Sequence, residues 1–151
     1  MASKNWLAQW LNNNLIVSSP AGAPNMENAL RLRVTVAQIN AGFTLLPALP
    51  GYKYRITDST MIAVGGAASG ATAVVIQGTQ ASSVVSLVSA AVAALTQSAV
   101  VKPHTASVTV LADGASFVAN DVNTAITIGK TGGSLATSTA VDVILTYAIE
   151  R

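Results

Sequence analysis

Side chains that could do chemistry are few in this 151-residue chain, and they are scattered. There is one histidine, His104, no cysteine, and six carboxylates: Glu27, Asp58, Asp113, Asp121, Asp142 and Glu150. A nucleophilic triad needs a base beside its nucleophile and an orienting acid. His104 follows a proline in an apparent loop, and no serine stands in a G-x-S-x-G elbow. The carboxylates do not pair at helical or strand spacing, so a glycosidase pair or a calcium cage would need distant folding. Asp58, Asp113 and Asp121 read as turn residues, whose side chains bond nearby backbone. Gly129-Lys130-Thr131 follows a strand as a phosphate loop does, but that motif requires a glycine at 124, which is Thr124. Without cysteine there is no disulfide framework and no thiolate zinc site. The expectation is a protein with no catalytic residue, cofactor or metal, and so not an enzyme.

Two sets of residues suit binding instead. Trp6, Leu7, Trp10 and Leu11 repeat at a spacing of four, which puts them on one side of a short helix capped by Ser3. Arg31 and Arg33 share one face of a strand, and Lys53 and Arg55 share a face of another. If the two strands are neighbours, four of the eight cations form one patch, which reads either as a site for an acidic docking surface or as an ordinary solvated sheet face. Tyr52 and Tyr54 point away from Lys53 and Arg55. An aromatic and basic platform for single-stranded nucleic acid is therefore not expected.

The elements that must position these residues are mostly strands. Residues 1–29 form an N-terminal arm: the short helix, then the linker SSPAGAPN from Ser18 to Asn25, whose two prolines and glycine exclude helix and central strand. Whether the helix grips a neighbour or folds back is open. Residues 30–151 read as one domain. Strands are expected at 31–36, 52–57, 61–64, 73–77, 84–88, 107–111, 124–128 and 141–149, the last with Asp142 outside, and Val100-Val101-Lys102-Pro103 closes the middle section. Turns or loops are expected at Asn40–Gly42, Leu46–Gly51, Gly65–Gly70, Asp113–Gly114, Asn120–Asp121 and Lys130–Ser138. Phe117–Val118 links two of these turns, and Ala90–Leu95 reads equally as helix or strand. About eight or nine short strands at this spacing indicate an all-β fold, a single β-sandwich or a jelly-roll-like domain.

Composition says what kind of surface encloses it. Charged residues are 9% of the chain, against roughly 25% in an ordinary soluble domain. No charge occurs from Ser59 to Val101. A monomer relies on surface charge to stay dispersed, so a surface this poor in it implies burial against other chains. The net charge of +2 is too small to capture nucleic acid. Residues 83–101 are long enough to span a membrane. They are built of Ser, Ala and Val, are broken by Thr96-Gln97-Ser98, and lack flanking aromatics, so no membrane segment is expected. The N-terminus lacks the apolar core of a signal peptide.

Three runs carry a family resemblance: VTVAQINAGFTLLPALPGYKYRITD (34–58), LADGASFVANDVNTAITIGKTGG (111–133) and VDVILTYAIE (141–150). They resemble small structural proteins encoded among the head genes of tailed bacteriophages, over residues 31–151 and excluding the arm. The resemblance implies a head decoration, or cement, protein. It would be a β-sandwich, commonly a homotrimer, made in the host bacterial cytoplasm and bound to the major capsid protein on the capsid exterior. It brings no catalytic residue. Another virion β-module, such as a tail, fibre or adhesin domain binding a host glycan or protein, is the alternative. Scarce aromatics weigh against it.

Overall fold

Apolar residues alternate with polar ones through most of the chain, and strands are the result. The computed structural model describes residues 27–103, 108–110 and 120–151. The helix and linker expected in the arm, His104, the turn expected at Asp113–Gly114 and Phe117–Val118 lie outside the described residues, whereas Asn28 and Ala29, expected at the end of the arm, open the first strand. The strands are β1 (Asn28–Thr35), β2 (Phe43–Leu46), β3 (Lys53–Val64), β4 (Ser69–Gln80), β5 (Ser83–Ala91), β6 (Val100–Val101), β7 (Val108–Val110), β8 (Ile126–Ala136) and β9 (Ala140–Glu150). They form two antiparallel sheets, ordered β1-β9-β3-β6 and β2-β8-β4-β5-β7. The pairing is nested: β1 with β9, β2 with β8, β3 with β6, β4 with β5. Successive nested pairs fall in alternate sheets. The inner faces share one apolar cluster, in which Ile56, Ile76, Ile126, Ile128, Val141 and Leu145 are fully buried. The architecture is all-β and sandwich-like.

Several local expectations are corrected. Asn40–Gly42 is not a simple turn but the end of a short helix, α1 (Val36–Ala41), with Gly42 at its C-cap. Thr35 and Gln38 make a reciprocal capping box at its start, and Ile39 is buried on the core. The strands at 52–57 and 61–64 are one strand, β3, with a register shift between Ile56 and Asp58. Asp58 therefore stands at a bulge within a strand, not at a turn, and accepts from the Ser59 N–H at 2.7 Å. Ala90–Leu95 divides: the strand ends at Ala91 and a single 3-10 turn covers Val92–Ala94.

The largest correction concerns Lys130–Ser138. Its glycines and hydroxyls read as a loop, yet β8 runs through to Ala136, paired with β4 across two register shifts. Gly70 (φ +83°) on β4 and Gly132 (φ +76°) on β8 take the left-handed backbone the bulges demand. A Cβ at Gly70 would run into the Ser134 carbonyl oxygen, and one at Gly132 into the Thr72 hydroxyl. Glycine marks a close approach of two strands here, not a loop. Gly129-Lys130-Thr131 consequently lies inside a strand, which is not the strand-to-helix turn a phosphate loop needs.

Asp121 does serve a turn, but one of another segment. β4 and β5 join through Ala81 and Ser82, both at positive φ (48° and 63°), as a two-residue hairpin turn of type I′ requires. Neither is the Asn or Gly that tolerates this geometry. The Asp121 carboxylate accepts from both backbone N–H groups, at 3.1 and 2.8 Å, and holds the turn in place. Asp121→Ala is expected to lower stability by about 1 kcal/mol, and Ser82→Gly in that background to recover part of it. Urea unfolding midpoints of the two variants check this.

Candidate functional site

The four cations expected to act together share one face but not one patch. Arg31 and Arg33 on β1, and Lys53 and Arg55 on β3, all lie on the outer face of the four-stranded sheet. β9 runs between the two strands. By register, Arg33 and Arg31 flank Asp142 and Ile144, whereas Arg55 and Lys53 flank Ala148 and Glu150. The two pairs thus sit toward opposite ends of β9, four residues or about 13 Å apart along the strand.

Each pair is half neutralised by β9. Arg33 grips Asp142 through both carboxylate oxygens, Nε to Oδ1 at 2.7 Å and Nη2 to Oδ2 at 2.9 Å. Arg55 does the same to Glu150, at 2.6 and 3.2 Å. Such forks fix direction as well as charge. Asp142 is on the outer face, as alternation requires, but it is buried there beneath Arg33 rather than open to solvent. The bonded Arg33 guanidinium holds the Asp142 carboxyl below the usual carboxylate range, and Arg31 adds to this. Arg55 acts likewise on Glu150, with a smaller contribution from Lys53. At the edge of the same face, Lys102 stands 4.0 Å from Asp58.

The depressed carboxyls give a sign for acid behaviour. A group whose folded pKa is lowered contributes stability above its unfolded pKa, and that contribution fades as pH falls through the folded value. Stability should therefore drop on acidification from about pH 4 downward. Asp142→Asn should flatten part of that limb, read as the urea midpoint against pH. Both arginine partners are substantially solvent-exposed, so the change is small.

What stands out is where charge is absent. The strands of the four-stranded sheet carry Arg31, Arg33, Lys53, Arg55, Asp58, Asp142 and Glu150, whereas those of the five-stranded sheet carry only Lys130. On the outer face of the five-stranded sheet stand Thr44, Ala73, Val75, Gln77, Ser86, Ser89 and Thr127. The molecule has one charge-laced face and one face of small uncharged side chains.

Sequence reasoning found the four cations and missed their partners. The signal was present: in an antiparallel pair, Glu150 falls opposite Lys53 once β3 and β9 are joined, and Asp142 opposite Arg33. Trp6, Leu7, Trp10 and Leu11 lie outside the described residues. Among the described residues, no three of His, Cys, Asp and Glu come close enough to hold a metal ion, and no helix is long and apolar enough to cross a membrane. No family model, no curated protein and no solved structure matches the chain.

Proposed function

We propose that this chain is a structural virion protein of a tailed bacteriophage, without enzymatic activity, that binds the outside of the assembled capsid and stabilises it. The observation that carries the reading is the partition of charge between the two sheets. Burying a surface that bears lone charges is costly, because each must find a partner. The five-stranded sheet presents almost none; Ala73 and Val75 at the centre of its outer face are already buried, and another protein surface can cover the rest of that face without leaving a charge unpaired. Copies of this chain, arranged as a homotrimer, are the first such partner. The four-stranded sheet keeps Arg31 and Lys53 beside its two neutralised forks, a mildly cationic face for acidic groups on the major capsid protein.

The strand order supports a jelly roll as the finer fold. Nested pairs 1–9, 2–8, 3–6 and 4–5, alternating between sheets, are what a rolled hairpin of eight strands produces, with β7 as an added edge. That architecture recurs in viral capsid proteins and in lectins. Fold alone does not decide between such roles. The resemblance of residues 34–58, 111–133 and 141–150 to phage head proteins favours the capsid.

The mechanism is mass action. A subunit that binds only the assembled, expanded shell stabilises it by its binding free energy, and several modest contacts per trimer add as avidity. In the arm, Trp6, Leu7, Trp10 and Leu11 supply apolar anchors of the kind that dominate protein interfaces. Deleting residues 1–25 is expected to leave a folded domain and to weaken its binding to expanded shells of the encoding phage, measured by co-sedimentation. Unchanged occupancy would remove the arm from the mechanism.

A further inference from the structure

The inner face of the four-stranded sheet is covered less completely beside part of β1 than along β3. Along β3 the inner-face residues Tyr54, Ile56, Met61 and Ala63 are all buried. Along β1 Val34 is fully buried, but Leu30 and Leu32 pack against the core and are only half-buried, and so are Tyr147, whose ring meets Tyr54 edge-on, and Ile149 farther down β9. Register places the four half-buried residues on one continuous strip: Leu32 beside Val143, Leu30 beside Leu145, then Tyr147 and Ile149. In the opposite sheet the edge strand β2 has four residues against eight in β1.

We propose that the chain's own N-terminal segment, through Trp6, Leu7, Trp10 and Leu11, packs onto this strip. The segment joins the domain at Asn28, whose register partner is Tyr147, so the chain enters beside the strip. Residues 12–27 are a spacer with a reach of up to about 50 Å, whereas the strip from Val143 to Ile149 spans about 20 Å. The spacer is therefore long enough to reverse and lay the segment along it. Tethering places the segment at an effective concentration near millimolar, so its own strip is favoured over that of another copy. The chemistry matches: the four apolar side chains gathered by the spacing of Trp6, Leu7, Trp10 and Leu11 meet four half-buried apolar side chains beside β1. The inference stands whether or not the shell reading does. Should both hold, a free subunit keeps its anchors covered until a neighbour competes for them.

Trp6 and Trp10 are the only tryptophans, so emission from the full-length protein reports this segment alone. The expected spectrum is blue-shifted relative to the urea-unfolded chain and shielded from acrylamide. Leu30→Glu should shift it to the red while far-UV circular dichroism stays native, with Leu32→Glu as the second variant should the first fail to fold. Wild-type protein mixed with excess Leu30→Glu/Trp6→Phe/Trp10→Phe chain separates the two sources of a strip. Unchanged emission supports docking within the chain, whereas a red shift would mean that a second copy supplies the strip and overturns the proposal. Water-exposed emission in the wild type, or a blue shift that both Glu variants leave intact, also overturns it.

Discussion

Replacing Leu145 with alanine lowers stability by about 2–5 kcal/mol, the range for a large-to-small change that leaves a cavity in a packed core. Leu145 is fully buried on β9, the strand that holds β1 and β3 together. Its register partners are Leu30 on β1 and Ser59 on β3. Neither is placed to fill the space: Leu30 stands where the inner face is less completely covered, and Ser59 is small. A melting temperature lower by roughly 10 °C is the expected reading for a domain of this size. The control is Val84→Ala. Val84 is 71% exposed, and its loss should change stability by no more than about 0.5 kcal/mol. Equal effects at the two sites would mean that the inner faces do not form the core described.

The second large effect is at Gly70. Gly70→Ala combines a left-handed backbone, which costs roughly 1–2 kcal/mol for a residue with a Cβ, with a collision against the Ser134 carbonyl oxygen of the paired strand. The backbone of β8 must move to relieve it, so about 3 kcal/mol is expected in all. Gly51→Ala separates the two contributions. Gly51 has nearly the same φ, +80°, but nothing lies within 4 Å of the added methyl. It should show the conformational part alone, about 1–2 kcal/mol. Chemical denaturation of the two variants side by side gives the difference directly. A difference near zero would contradict the close approach of β4 and β8.

These two sites also show what can be read from the residues and what cannot. Leu145 sits in an alternating run, VDVILTYAI. Period-two alternation is a local property, so β9 and β1 are legible in the sequence itself. Gly70 sits in a run of glycines and small residues with no alternation. Only the partner strand explains why glycine is required there, and Gly132 and the rest of β8 are hidden for the same reason. The α1 helix escapes because six residues carry little periodicity, although Thr35 and Gln38 spell its capping box. Among the site residues, Arg31, Arg33, Lys53 and Arg55 are visible as alternating cations. Their division into two half-neutralised pairs is not, because it depends on β9 running between β1 and β3, a pairing more than a hundred residues distant from β1. Asp121 is recognisable as a turn residue, but the turn it holds lies 39 and 40 residues earlier in the chain.

The chain is poor in charge, and of the charges on its described strands all but Lys130 fall on one sheet; contact with the capsid is the role proposed for it. The most direct test is the number of copies of this chain per copy of the major capsid protein in purified particles of the phage proposed to encode it, together with its binding to expanded and unexpanded shells. The account predicts a fixed, high stoichiometry on the head and binding to expanded shells only. Absence from heads, or a few copies confined to tails or fibres, would contradict it.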